Sequence, residues 1–251
     1  MGLLDRVISA VREEGILYVA REAVPHVYSH YVRDYLWRRE TRLNGIRVRS
    51  HRIGDSIVPW QAGHPDPDLY EGAIVDGLRD HVQNADDVVI VGGGWGVSTV
   101  VAAEETGVRG SIHTYEASPK YSEYVRETAA LNDVHDTVSV VNRAVSHTVS
   151  TFGDDNSANA LHPSVLPECD VLELDCEGAE LSIISEMDIR PRTIIVETHG
   201  VYGSPTEKVT GKLREVGYTI DTTEPAERGS LESMCHKQDV MVVIASREDT
   251  A

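Results

Sequence analysis

The chain has 251 residues, 41% of them hydrophobic, which is enough to bury one full core, so one large domain with an appendage is expected. Its 41 acidic against 23 basic residues give a formal charge of −18, which argues against nucleic acid as a main partner because phosphate binding relies on Lys and Arg. No apolar run is long enough for a bilayer and no signal-peptide pattern opens the chain, while three cysteines without CxxC spacing suggest neither a disulfide framework nor structural zinc; a reducing, cytoplasmic setting fits.

Only 4 of the basic residues are lysines. A dense carboxylate surface with so few lysines is the composition of a halophilic protein, which stays hydrated where salt screens charge repulsion, and a halophilic archaeon is the expected source. The charge is uneven. Residues 1–52 hold 10 arginines, no lysine and 6 acidic residues, a balance of +4 against −22 for the remainder.

Residues 1–44 read as an amphipathic helical segment. Leu3, Leu4, Val7, Ile8, Val11, Ile16 and Leu17 recur at helical spacing ahead of Pro25, and residues 28–37 resume the pattern. The second stretch carries Tyr28, Tyr31, Tyr35 and Trp37 beside Arg33, Arg38 and Arg39. Such a segment packs on the main domain, joins a homo-oligomer, or makes peripheral contact with a membrane surface. Residues 45–68 read as a short hairpin around Gly54-Asp55, followed by a linker with a turn at residues 65–68.

From residue 69 to 251 a strand and helix rhythm sets in. A helix is expected over 69–82, with strands at 88–91, 111–115, 137–141, 171–174, 193–196, 218–221 and 240–244 and crossover helices at 121–131 and 180–187. The pattern predicts an α/β fold with a doubly wound, mostly parallel sheet of seven strands.

The first of these strands, Val88-Val89-Ile90-Val91, runs into Gly92-Gly93-Gly94-Trp95-Gly96 and then a helix start. Gly92, Gly94 and Gly96 suit a tight turn that brings backbone amides against a ligand. Glu116 ends the next strand, 20 residues past Gly96, where a carboxylate accepts both hydroxyls of a ribose. Together they point to an adenine nucleoside cofactor, a dinucleotide or S-adenosylmethionine. Asn142, ending the third strand, approaches the adenine edge or serves a turn, and Trp95 walls the cofactor or packs on a helix.

The strand at 171–174 stops at Asp175-Cys176-Glu177-Gly178-Ala179-Glu180. At the carboxyl end of a parallel strand, such carboxylates face the ligand crevice as a base, metal ligands or hydroxyl acceptors. Asp175 is the first candidate and Glu177 the second, while Glu180 reads as a first-turn residue of the following helix. Glu197 and His199 end the next strand, two apart and on one face. His199 titrates in the range of a general base, or is a satisfied structural histidine. Asp175, Glu197 and His199 are also candidate ligands for a divalent metal, a role not separable here from hydrogen bonding to an acceptor.

The pieces Gly92 to Thr99, Tyr115-Glu116-Ala117-Ser118-Pro119, Asn142 to Ser146, Asp175 to Glu180 and Val196-Glu197-Thr198-His199 resemble, in order and spacing, the FkbM family of S-adenosylmethionine-dependent methyltransferases. The resemblance covers residues 69–200 closely and leaves the first 50 outside. It implies a class I, Rossmann-like methyltransferase fold, with S-adenosylmethionine bound at the glycine turn, Glu116, Asn142 and Asp175. It further implies methyl transfer to a hydroxyl of a glycan or related small molecule, with a base or metal ion to make that oxygen reactive. Ile90 departs from the family, which usually has Asp there, and Gly93 and Gly94 stand where it often carries Ala and Asn. Two other classes stay open: a nicotinamide-dependent oxidoreductase using the same turn and Glu116, and a non-catalytic cofactor-binding protein, which Ile90 favours.

Overall fold

A computed structural model describes residues 27–55, 69–146 and 160–247. The chain divides into two compact units, residues 1–41 with 49–64, and residues 42–48 with 65–251. The helix expected ahead of Pro25 and the linker turn at residues 65–68 lie outside the described residues.

In the first unit a π-helical turn, Tyr28–Val32, and a 3-10 turn, Arg33–Tyr35, stand where the second amphipathic helix is expected. Extended backbone at Leu36 then leads into strand β1, Arg38–Leu43, which pairs with β2, Ile46–Arg52. This corrects two expectations: residues 38–43 are strand rather than helix, and the hairpin turns at Asn44-Gly45 rather than Gly54-Asp55. Asn44 and Gly45 both sit at positive φ, 46° and 86°, the left-handed pair that a two-residue hairpin turn requires and that Asn-Gly adopts at least cost. Tyr31, Tyr35 and Trp37 are exposed.

Asp55 anchors the end of β2. Its carboxylate accepts from the Tyr28 hydroxyl at 2.6 Å, from the Arg33 guanidinium at 3.0 Å through both oxygens, and from the Arg52 amide at 2.8 Å. Burial pushes this carboxyl up, but the bonds from Arg33, Tyr28 and Arg52 outweigh it and hold the pKa at about 2, below its ordinary 3.8. A depressed acid contributes stability that is present above the unfolded value and lost as pH falls through the folded one. Asp55→Asn is therefore expected to speed amide exchange at residues 50–55 at pH 7, by an opening energy of about 2 kcal/mol, and to have a much smaller effect near pH 2. An equal effect at both pH values would show that charge is not what holds this end together.

The second unit is built on a seven-stranded sheet: β3 Asp87–Val91, β4 Ser111–Tyr115, β5 Val138–Val141, β6 Val171–Leu174, β7 Thr193–Glu197, β8 Thr219–Pro225 and β9 Met241–Ser246. Their order is β5-β4-β3-β6-β7-β9-β8. The first five run parallel, and β9 runs antiparallel to both β7 and β8. Helices α1 Gly72–His81, α2 Val97–Thr106, α3 Pro119–Leu131, α4 Glu180–Glu186, α5 Thr206–Glu215 and α6 Glu232–Gln238 connect the strands. This is the doubly wound, mostly parallel, Rossmann-like sheet expected, and every expected strand is present.

Alternation along the strands sends residues to opposite faces. Val88 and Ile90 join Ile74 and Leu78 of α1 and Val100 and Val101 of α2 in one cluster. Val89 and Val91 join Ile183 and Ile184 of α4 and Val209 and Leu213 of α5 in the other. Both faces are covered, which is why β3 and β7 carry continuous apolar runs, and β6 one interrupted only by Glu173. β3 sits between β4 and β6, so the sheet order reverses there and a crevice opens beyond the carboxyl ends of β3 and β6. No helix among the described residues is long and apolar enough to cross a membrane.

Candidate functional site

The crevice is set by a close approach of two strand ends. Asp175 donates its N–H to the Val91 carbonyl at 2.9 Å, and Gly92 donates to the Tyr115 carbonyl at 2.9 Å. Gly92 has φ of 104°, and a Cβ added there would lie 1.7 Å from the Asp175 carbonyl oxygen. Gly93 and Gly94 then turn their N–H groups onto Glu116 Oε2, at 2.9 and 3.1 Å, and the Ser118 N–H donates to Oε1 at 2.7 Å. Glu116 is only 8% exposed. A carboxylate offers about four acceptor sites, so three backbone donors fix it and leave room for one more. Asn142 Nδ2 donates to the carbonyls of Glu116 at 2.8 Å and Ala117 at 3.1 Å, so this residue braces the Glu116 loop. Gly96 caps α2. Trp95 stacks on Tyr124 at 4.8 Å, with Tyr121 edge-on at 5.8 Å, so it packs against α3.

The parallel register of β6 and β7, with Leu174 opposite Val196, brings the second group together. His199 Nε2 lies 3.6 Å from Asp175 Oδ1 and 3.4 Å from Glu197 Oε1, while Nδ1 lies 3.0 Å from Glu180 Oε1. One donor atom from each of Asp175, Glu197 and His199 lies within 4.8 Å of the others. Burial pushes the Asp175 carboxyl up to about 6 against the pull of His199. Burial and the Asp175 charge push Glu197 above the ordinary carboxylate range. For His199, burial disfavours the imidazolium, yet the Glu180 hydrogen bond and the Asp175 charge raise its pKa overall. Glu177 is not joined to this group by any hydrogen bond; it is exposed, at φ of 50°, on the rim.

Four carboxylates beyond the expected set belong to the same region. Glu180 is fully buried and accepts from the Gly178 N–H as well as from His199, so its helix-start role and its contact with His199 coexist. Glu71, just before α1, donates its N–H to Glu227 Oε1 at 3.4 Å, and its own Oε1 lies 3.8 Å from where a Cβ on Gly94 would sit. Burial pushes the Glu71 carboxyl up to about 8, and the charges of Asp175 and Glu227 add to this. Glu173 is 1% exposed and neither of its carboxylate oxygens has a hydrogen-bond partner. It stands opposite Ile90 in the register of β3 and β6, so the strand pair that carries Ile90 has a carboxylate on its neighbour. Among the described residues no Lys or Arg forms an ion pair with Glu71, Glu173, Asp175, Glu197 or Glu227. Glu173 was visible in the sequence as an acid within an apolar strand; Glu71 and Glu227 gave no local signal.

No protein-family model matches the sequence, and no curated protein matches it. Solved structures match by fold. An S-adenosylmethionine-dependent O-methyltransferase of Thermotoga maritima shares 13% identity over 85% of this chain and 78% of its own, with a TM-score of 0.49. The ribosomal protein L11 methylase of Lactobacillus delbrueckii subsp. bulgaricus shares 16% over 71% and 79%, at 0.47. Precorrin-6y C5,15-methyltransferase of Geobacter metallireducens shares 16% over 71% and 86%, at 0.46. These are likenesses of fold and leave the chemistry to the residues at the strand ends.

Proposed function

We propose that this chain is a methyltransferase that binds S-adenosylmethionine across the carboxyl ends of β3, β4 and β6 and methylates an oxygen nucleophile. The observation that carries this reading is the charge of the crevice. A dinucleotide rests its pyrophosphate on the free amides of a glycine turn and the helix behind it. Here the Gly93 and Gly94 amides are taken up by Glu116, and Glu71, Glu173, Asp175 and Glu197 gather nearby with only His199 as a basic counterpart among the described residues. Such a setting repels a pyrophosphate and favours a cationic ligand. When bound, S-adenosylmethionine supplies an activated methyl group on a sulfonium, and it carries an ammonium as well.

Glu116, fixed by three amides, is placed to accept ribose hydroxyls, and Asn142 holds its loop. Displacement at a sulfonium is in line, so the remaining work is to align the acceptor and take its proton. Asp175, Glu197 and His199 are the groups assembled for that work. The FkbM resemblance supports a hydroxyl on a carbohydrate or related small molecule as acceptor, and the scarcity of lysines supports a halophilic setting.

Titration calorimetry of the full chain in concentrated KCl tests the reading. S-adenosylmethionine is expected to bind, more tightly than S-adenosylhomocysteine, which lacks the sulfonium charge, with NAD+ giving no heat. Glu116→Ala is expected to lower the affinity about 10- to 100-fold, the equivalent of hydrogen bonds to a charged group. Tighter binding of NAD+ than of S-adenosylmethionine would reverse the assignment.

A further inference from the structure

We propose that Asp175, Glu197 and His199 hold a divalent first-row cation, of the Mn2+, Fe2+ or Zn2+ class, at the carboxyl ends of β6 and β7. The separations of His199 Nε2 from the two carboxylates, 3.4 and 3.6 Å, belong to ion pairs that meet no hydrogen-bond geometry. They match the edge of a tetrahedron around an ion with bonds of about 2.1 Å, which is about 3.4 Å.

The orientation of the imidazole points the same way. Glu180, fully buried, accepts from Nδ1, and its Oε1 is itself fixed by the Gly178 N–H at 3.0 Å. With Glu180 accepting from Nδ1, Nε2 is the atom turned toward the two carboxylate oxygens, where it carries a proton as an imidazolium or, once deprotonated, offers a lone pair. In the deprotonated state three acceptors face one another, and a cation between them would take the place of that proton. A carboxylate, a histidine and a cation in this sequence are the ordinary way that a metal-binding imidazole is held.

A separate observation comes from Glu173. Two residues before Asp175, it is 1% exposed with both oxygens unpartnered. No Lys or Arg among the described residues forms an ion pair with this group of acids, and a bound cation would compensate them where His199 alone now does. One imidazole and two carboxylates suit Mn2+, Fe2+ or Zn2+ better than Mg2+ or Ca2+, which prefer all-oxygen sets. Three protein ligands also leave a position for an acceptor oxygen, whose pKa the cation would lower. That last role rests on the methyl-transfer reading; cation binding does not.

The test uses full-length protein stripped with EDTA and titrated with Co2+ in concentrated KCl. One equivalent is expected to bind, with the strong visible absorption of four- or five-coordinate Co2+, displaced by Zn2+ and not by excess Mg2+. His199→Gln and Glu197→Gln are each expected to weaken binding at least about 100-fold. Glu180→Gln, a positioning change, is expected to weaken it about 10- to 100-fold. Circular dichroism establishes that each variant is folded, and S-adenosylhomocysteine affinity is measured alongside. Absence of Co2+ binding to folded wild-type protein, or binding that His199→Gln and Glu197→Gln leave unchanged, overturns the site. Cofactor binding without cation binding removes the metal alone; cation binding without cofactor binding supports the metal and removes the methyl-transfer reading.

Discussion

Gly92→Ala is expected to destabilise the second unit by about 4 kcal/mol and to abolish cofactor binding. Two costs combine. Alanine at φ of 104° is strained by about 1–3 kcal/mol, and its methyl would lie 1.7 Å from the carbonyl oxygen of Asp175. That oxygen has little freedom to retreat, because the N–H of the same residue donates to Val91 and the residues before it are paired with β3. Relief therefore requires the β3 and β6 ends to part, an overpacking cost of about 1–3 kcal/mol. Against a total stability of about 5–15 kcal/mol this is a large loss.

Gly94→Ala is the matched control. It has φ of 48°, and the nearest atom to an added Cβ is Glu71 Oε1 at 3.8 Å. Its cost is expected to be about 1 kcal/mol, the strain of a left-handed alanine alone. Urea unfolding in concentrated KCl compares the two. Equal, small losses would mean that the strand ends are not held as close as the bond from Asp175 to Val91 indicates.

The fold was legible because its central strands are covered on both faces, which leaves continuous apolar runs that end at glycines or acids. The glycine turn and Glu116 were legible for a related reason: a strand, turn and helix followed by a second strand fixes their spacing locally. Asp175 stood out as an acid at a buried strand's end. What could not be read is what the sheet assembles across distance in sequence. Glu180 obeys a local helix-start rule and does accept the Gly178 amide, so nothing in the sequence required it to meet His199 as well. That meeting follows from the side-by-side register of β6 and β7. Glu71 and Glu227 lie outside every motif and are brought in by the packing of α1 and the end of β8. Glu177, which its spacing suggested as a site residue, is exposed at left-handed backbone, and its charge acts on Asp175 and His199 without a hydrogen bond to either. At the hairpin, Gly54-Asp55 carries turn residues, yet Asn44-Gly45 makes the turn and Asp55 collects hydrogen bonds instead.

Glu173→Met is expected to stabilise the cation-free protein by about 2 kcal/mol. The wild-type side chain is fully enclosed and both its oxygens lack partners, so folding removes a carboxyl from water without replacing its hydrogen bonds. Burial, with the charges of Asp175 and Glu71, pushes its pKa well above the ordinary range. Methionine has a similar length and flexible shape, and its neighbours in the register are Ile90 and Ile195, both wholly buried. Removing a buried polar group that lacks a hydrogen-bond partner commonly gains about 1–3 kcal/mol. For a chain of this size 2 kcal/mol corresponds to a rise in melting temperature of about 4–8 °C, which scanning calorimetry resolves. Glu173→Gln is expected to gain less, since it keeps a buried polar group. Added Co2+ is expected to narrow the gap between wild type and the methionine variant, because a cation beside Asp175 lowers the cost of a buried carboxyl next to it. A methionine variant less stable than wild type would show that Glu173 has a bonding partner in the folded protein, and the case for uncompensated charge in the crevice would fail with it.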